Sequence, residues 1–333
     1  MSVSLKALAC AVPSQKFTLA EYAPDLVDRK SAEQIARVSG FRSLRIAPEE
    51  MTTSDLCVSP AMRILDDFGR GDVGAVVFVS KTPDYVSPAT SHILQARLGL
   101  SPNVSCLDIN EGCSGFIAGL YVSLLIAGEI RAPVLLCGGD TNSKLTSPSD
   151  RGTRCIFGDA GFAAVIAPDA EAAEIPFSFV NFGERAHSII MENSRHRIVS
   201  QPLNGGYYFM DGAAVMNFAL TEVPALVRGL LSENGYDAGD ITFYAFHQAN
   251  KLIISSIARK LGIPQEKAPF TAGDTGNPSS ASIPLMLCGV HGNADMSRVM
   301  CVGFGVGLSA GACIADFSRT KFYGIEEIAH VQC

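Results

Sequence analysis

A chain of 333 residues is long enough for one large domain or two medium ones, and its 47% hydrophobic content supplies the side chains for a large core. The formal net charge of −7 argues against a nucleic-acid partner, which would call for a basic face. Ten cysteines (10, 57, 106, 113, 137, 155, 288, 301, 313 and 333) are scattered without a CxxC pair, so no metal site is expected, and a reducing, cytoplasmic compartment is.

The first residues, through Ser14, lack a long apolar stretch, so no signal peptide is expected. Lys6 to Val12 reads as a strand. Thr18-Leu-Ala-Glu21 and Ser31-Ala-Glu-Gln34 both fit a capping box and predict helix starts. Thr53-Ser-Asp55 starts another helix, running to about Phe68. Val73 to Ser80 is a buried strand, and Thr90 to Leu98 a helix stopped by Gly99. Val104 to Ile109 reads as a short buried strand and Phe116 to Ile130 as a buried helix. The apolar run 112–128 is the one transmembrane candidate, but it is short and rich in Gly and Ser, so no membrane span is expected. Strands follow at Pro133 to Cys137 and Phe162 to Ala167, separated by the polar loop Ser143 to Thr153. Pro168 to Pro176 marks a boundary, giving halves of 1–170 and 171–333. In the second half, Ala214 to Asn234 is a helix, Ile241 to Phe246 a strand, and Lys251 to Leu261 a helix stopped by Gly262. Loop Thr271 to Ser282 leads into a helix from Ile283, with strands at Val299 to Val302 and Ala312 to Ala315. Strands and helices alternate throughout, so the fold class is α/β.

The halves repeat one plan. Leu94-Gln-Ala-Arg-Leu-Gly-Leu100 and Ile257-Ala-Arg-Lys-Leu-Gly-Ile263 match at an offset of 163. That offset carries Cys113 to Gly276, beside Asn277, and Asp84 to His247. A pseudo-two-fold fold would bring these helix starts together.

Cys113 sits between a strand and a helix, where free N–H groups and the positive end of the helix dipole favour a thiolate. The competing reading is a small buried thiol, a common fate of cysteine. A cysteine nucleophile needs a proton acceptor and an oxyanion hole. Of the six histidines (92, 187, 196, 247, 291 and 330), most read as surface or helix-end residues. His247 differs because it ends an apolar strand, where site residues collect in α/β sheets. Asn277 lies in a loop of small residues and has an N–H to donate, although asparagine also serves there simply as a turn residue.

Four motifs occur in order: Asp108-x4-Cys113-Ser-Gly-Phe116, Phe246-His-Gln-Ala-Asn250, Gly276-Asn-Pro-Ser-Ser-Ala-Ser-Ile-Pro284 and Gly303-Phe-Gly-Val-Gly307. Thr82-Pro-Asp-Tyr85, Gln95-Ala-Arg-Leu-Gly99, Asp150-Arg-Gly152 and Phe157-Gly-Asp-Ala160 accompany them. With these the chain resembles, over essentially its whole length, the β-ketoacyl-acyl-carrier-protein synthase III branch of the thiolase superfamily. The resemblance implies a five-layered α-β-α-β-α sandwich of two similar halves and a homodimer. It implies Cys113 as the acylated nucleophile and His247 and Asn277 as holders of the second thioester's oxygen. The backbone N–H groups of Cys113 and of the Gly305–Val306 turn would form the oxyanion hole, and Phe116 would shield the thiol from water. The substrates would be acyl-coenzyme A or acyl-carrier-protein thioesters, with no tightly bound cofactor.

The pattern departs from the family in places. Gln34 and Val38 stand where the family carries a Trp and an Arg against the coenzyme A adenine, and the chain has no Trp. A carrier-protein donor is therefore favoured, with Arg151 still placed for the nucleotide end. Lys251, Arg259 and Lys260 are candidate contacts for an acidic carrier protein or its phosphopantetheine, the alternative being a solvated helix face. Ser87 stands where the family often has a Phe reaching into the partner's acyl pocket, which predicts an acyl group other than acetyl. Glu111 stands where a small apolar residue is usual, either as a hydrogen-bonded strand-end carboxylate or as a second base or polar-substrate contact. These departures suggest a specialised polysaccharide or secondary-metabolite pathway.

The function expected is decarboxylative condensation through acyl-Cys113. The alternative is an acyltransferase of the same fold acting on an amine or hydroxyl, with His247 as base. A non-catalytic partner subunit fits poorly with an intact Cys, His and Asn. Gly112-Cys-Ser-Gly lacks the second glycine of a serine-hydrolase elbow, and Gly303 to Gly307 lacks the spacing of a dinucleotide loop.

Overall fold

The structure, a computed structural model, describes residues 2–193 and 197–330. His196 and Cys333, named above, lie outside the described residues. Two sheets form the frame. The first runs Lys321–Ile328, Val3–Pro13, Asp159–Pro168, Val134–Thr141, Ala75–Val79, Ser105–Ile109, and the second Phe243–Phe246, Val299–Gly305, Ser309–Ala315, Phe177–Asn181.

The central strands of the first sheet are uninterrupted apolar runs, such as Ala-Val-Val-Phe-Val from Ala75 to Val79, buried at every position. Such a run needs cover on both faces. Helices Thr53–Phe68 and Thr90–Arg97 supply it on the outer face, and Gly115–Ile130 and Ser282–Val290 on the inner one. The inner helices are apolar on nearly all sides because they touch strands of both sheets. Helices Gly212–Glu233 and Lys251–Leu261 cover the far face of the second sheet. The result is the expected five-layered α-β-α-β-α sandwich, with the Cys113 turn opening its central layer.

Several elements differ from expectation. The helix expected at Ser31 begins at Arg29, because Asp28 is the cap and its carboxylate accepts the Ser31 N–H at 2.7 Å. Ser105–Ile109 is a half-exposed edge strand with Leu107 at 42% exposure, not a buried one, since nothing pairs beyond it in this chain. The strand Lys321–Ile328 was not foreseen. It pairs in parallel with Val3–Pro13, so the second half returns a strand to the first sheet. Phe177–Asn181 also joins the second sheet unforeseen, by pairing with Ser309–Ala315. Among the described residues the helix long and apolar enough to cross a membrane is Gly212–Glu233, not 112–128. Half of its apolar window is buried in this protein, against the second sheet and the Lys251–Leu261 helix.

Gly161 shows how tightly the outer layer packs. A Cβ there would lie 2.6 Å from the Leu56 carbonyl oxygen and 2.7 Å from its carbon, both backbone atoms of the Thr53–Phe68 helix. Gly161→Ala is predicted to destabilise the fold by on the order of 1–3 kcal/mol through overpacking. Gly183→Ala, where a Cβ meets nothing within 4 Å, should leave the thermal midpoint unchanged. Calorimetry that finds the two variants alike would contradict this packing.

Candidate active site

Cys113 lies in the turn between the edge strand and the Gly115–Ile130 helix, closed by a Gly115 N–H bond to the Gly112 carbonyl at 2.7 Å. It is 6% exposed. The Gly305–Val306 turn comes up against it from the second sheet. A Cβ on Gly305 would sit 2.9 Å from the Cys113 Cβ and 3.1 Å from its Sγ, so any side chain there would crowd the thiol. A Cβ on Gly112 would likewise meet Val306 at 2.8 Å.

His247 follows the strand Phe243–Phe246 and is buried. Its Nδ1 is 2.6 Å from Ser282 Oγ, and its ring stands edge-on to Phe304 at 5.3 Å. Burial first, and the Lys81 charge second, push its pKa down to about 3, against a hydrogen bond to the Ser279 backbone. The imidazole is therefore neutral at physiological pH. Three residues on, Asn250 caps the next helix by accepting the Ile253 N–H at 2.8 Å. Asn277 is held by its backbone, accepting from Gly158 N–H and donating to the Ile156 carbonyl. Its side-chain oxygen accepts the Ser279 N–H at 2.9 Å, which leaves its NH2 as the free end.

Ser279 links these parts. Its hydroxyl is 3.5 Å from Cys113 Sγ and accepts from Lys81 Nζ at 2.8 Å. The Lys81 side chain is only 9% exposed and lies 3.8 Å from the fully buried Asp140 carboxylate. Asp140 in turn accepts from Ser80, the Lys81 N–H, and the Ser280 N–H and hydroxyl. Lys81, Asp140 and Ser279 were missed by sequence reasoning. The available signal was a lysine directly after a buried strand, at a sheet's end where site residues collect.

Burial is the largest influence on Cys113 and pushes its thiol up from the ordinary value. Lys81 and the Ser279 hydroxyl pull it down, while Asp140 and Glu111 push it further up. Burial thus opposes the thiolate that a helix start favours. Glu111 accepts from the Ser114 hydroxyl at 2.6 Å, and the Ser309 hydroxyl, 3.1 Å from the same carboxylate, is 2.6 Å from the Val306 carbonyl, its one proton shared between them. The Glu111 carboxylate thus ties the nucleophile turn to the Gly305–Val306 turn.

Other expected residues fall elsewhere. Phe116, in the first turn of the helix that follows Cys113, is fully buried with its ring edge-on to Phe162 at 5.6 Å. Ser87 is exposed on the loop before the Thr90–Arg97 helix, and Arg151 is exposed at the start of a short helix. Lys251 lines a cavity of about 760 Å³ with Arg37, Arg42 and Phe270. Arg259 and Lys260 lie at the other end of that helix, where Lys260 donates to the Leu220 carbonyl. Gln34 and Val38 are exposed on the Arg29–Ser39 helix. A second cavity, of about 730 Å³, is lined by Lys81, Thr82, Asn110, Thr141, Leu145 and Met191 among others. Among the described residues no group of three or more His, Cys, Asp or Glu side chains is placed to hold a metal ion.

His247 and Asp159 oppose each other in acid. The His247 pKa falls on folding from an ordinary 6.5 to about 3, so the stability it lends is complete above 6.5 and lost as pH falls toward 3. Burial pushes Asp159 up to about 6, so its contribution is present below the ordinary 3.8 and lost as pH rises through 6. His247→Gln should therefore lose less stability than the parent between pH 7 and 5 in urea titrations. Equal losses would mean that His247 is not held neutral.

Residues 107–186 match the model of 3-oxoacyl-[acyl-carrier-protein] synthase III, and residues 231–317 match the model of its C-terminal part. The chain is 31% identical over 317 residues to β-ketoacyl-[acyl-carrier-protein] synthase III 2 of Halalkalibacterium halodurans, covering 92% of this chain and 93% of that one. A crystal structure of a 3-oxoacyl-(acyl-carrier-protein) synthase from Burkholderia xenovorans superposes with a TM-score of 0.90 at 29% identity, covering 98% and 97% of the two chains. The priming β-ketosynthase of the R1128 polyketide biosynthetic pathway superposes with a TM-score of 0.85 at 27% identity, covering 94% and 96%. By its motifs, its sandwich of five layers and these matches, the chain belongs to the β-ketoacyl-[acyl-carrier-protein] synthase III family.

Proposed function

We propose that the chain is a condensing enzyme that works through an acyl-Cys113 thioester and then a decarboxylative Claisen reaction with a malonyl-type thioester. The observation that supports this most is the convergence on Ser279. Its hydroxyl meets Cys113, its N–H orients the Asn277 amide, and its backbone bonds to His247.

In the first half-reaction the Cys113 sulfur attacks the acyl carbonyl. The new carbon–sulfur bond forms, the bond to the carrier thiol breaks, and that thiol leaves with the cysteine's proton. In this reading the backbone N–H groups of Cys113 and of the Gly305–Val306 turn stabilise the oxyanion, which the close approach of Gly305 to Cys113 supports. In the second, the bond to the malonyl carboxylate breaks and carbon dioxide leaves its electron pair on an enolate. Neutral His247 and the free amide of Asn277 stabilise the enolate oxygen. The enolate carbon then attacks the acyl-Cys113 carbonyl, and the thiolate departs and is reprotonated. A histidine held near pKa 3 is a weak general base at neutral pH. This favours condensation over transfer to an amine or hydroxyl.

Acyl-coenzyme A and acyl-carrier-protein thioesters are the proposed substrates, without a tightly bound cofactor. Arg37 and Lys251, which line the cavity of about 760 Å³ with Glu33, Glu266 and an Arg42 already paired with Asp274, are the cations proposed to meet an acidic carrier protein or the phosphate of its phosphopantetheine. The largely buried Lys81 amine on a cavity otherwise lined by both polar and apolar side chains, and the likeness to a polyketide priming enzyme, support a specialised starter acyl group and pathway. The half-exposed edge strand, with Tyr85, Val86 and Leu107 exposed near it, supports a homodimer in which Ser87 faces the partner's acyl pocket. The proposed location is the cytoplasm.

Intact-mass spectrometry should show an acyl adduct that is lost in Cys113→Ala. His247→Ala should acylate but release no carbon dioxide from malonyl thioesters. An adduct persisting without Cys113 would overturn the reading, and turnover without carbon dioxide release would point to simple acyl transfer. Sedimentation should give a dimer that Leu107→Lys converts to monomer; a monomeric parent would refute the dimer.

A further inference from the structure

The acylation chemistry above leaves a problem in physical chemistry. Cys113 is nearly buried, and burial raises the cost of its thiolate. The groups facing it are Lys81, Ser279, Asp140, Glu111, Tyr208 and His247. His247 is neutral, and the two carboxylates oppose ionisation. Lys81 is the cation among them. It does not touch the sulfur, but donates to Ser279 Oγ at 2.8 Å, and that oxygen is 3.5 Å from Cys113 Sγ.

The direction of the chain of hydrogen bonds follows from what each group carries. An ammonium has three donors and no acceptor, while a hydroxyl has one proton and two lone pairs. Ser279 Oγ must therefore accept from Lys81, and its single proton is left for the sulfur. The lysine is fixed by its surroundings. Its own N–H is held by Asp140 at 3.0 Å, its ammonium lies 3.8 Å from the same carboxylate, and it sits 5.3 Å and 5.9 Å from the ring centroids of Tyr208 and Phe157. Ser279 is fixed as well. It adopts a left-handed backbone (φ 51) unusual for a residue with a side chain, and its N–H is taken by Asn277. A polar chain in a dry site is stronger than the same contacts in water.

We propose that Lys81 is a positioning residue for Cys113: acting through Ser279, it turns that hydroxyl's proton toward the sulfur and so favours the thiolate as both nucleophile and leaving group. The thioester sulfur of the acylated state is a poor acceptor, so the relay acts at the two moments when the sulfur carries charge. This inference rests on Cys113 being the acylated nucleophile.

The test is the pH profile of Cys113 alkylation by iodoacetamide, read on the Cys113 peptide by mass spectrometry from pH 6 to 10. Lys81→Met should move the midpoint up by about one unit, which is roughly a ten-fold slower reaction at pH 7. Ser279→Gly, which keeps the left-handed backbone, should do the same. The double variant should move it no further than either alone, and Lys81→Arg should restore part of the shift. Parental midpoints in folded Lys81→Met and Ser279→Gly would overturn the relay, as would fully additive shifts. Should Lys81→Met fail to fold, Ser279→Gly and Lys81→Arg decide the matter. Acyl-thioester labelling separates the two readings. Labelling of Cys113 with unmoved midpoints sinks the relay alone, whereas moved midpoints without any Cys113 labelling sink the acyl-enzyme and leave the relay.

Discussion

A carboxylate with no contact with water holds the active site together. Asp140 ends the strand Val134–Thr141 and is fully buried. Its partners come from both halves of the chain: Ser80 and Lys81 from the first, Ser280 from the second. A buried carboxylate is tolerated only when hydrogen-bonded and paired, and losing one partner leaves an uncompensated charge. The loop that carries Asn277 and Ser279 is thus pinned to the sheet that carries Cys113. The pseudo-two-fold relation brings the halves close, and Asp140 sets their separation to hydrogen-bond length.

The site resolves a conflict between exclusion of water and reactivity. In the proposed mechanism an acyl-enzyme and an enolate would both last longer where water is kept out, and neutral His247 and Asn277 would be effective donors only in such a place. The same dryness disfavours the cysteine anion. A single cation one hydroxyl away is a compromise. It acts on the sulfur without standing where the substrate must come, and Asp140 keeps its charge from being left unpaired.

Much of this was legible in the letters, for reasons that differ by residue. Cys113 and His247 stand out because a polar or reactive side chain at the end of a strand is unusual, and Asn277 because the repeat carries Cys113 to the residue beside it. The layered α/β fold follows from the alternation of apolar runs with helical patterns. Lys81 was not legible, because one lysine before Thr-Pro-Asp has the look of a solvated loop, and only the tertiary fold buries it. Asp140 in Gly-Gly-Asp-Thr resembles a turn for the same reason. Phe304, whose ring packs edge-on to His247, was not legible either, because it lies in a different strand far along the chain and only the fold brings the two together. The strand Lys321–Ile328 escaped notice because its one-sided, half-exposed pattern lacks the continuous apolar run of the inner strands.

That last strand bears on how the protein is made. It lies beside Val3–Pro13, with Ala7 opposite Lys321 and Pro13 opposite Ile328, and Arg45 and Glu327 clasp the join. During synthesis the opening strand therefore emerges some three hundred residues before its neighbour. Loop closure over that span is slow, and parallel pairing of this kind raises contact order. Until residues 321–328 are made, one border of the first sheet has unsatisfied backbone groups open to other chains. The order of translation thus leaves the long, buried strand Val3–Pro13 as the border of the sheet until the shorter, half-exposed strand Lys321–Ile328 takes that place.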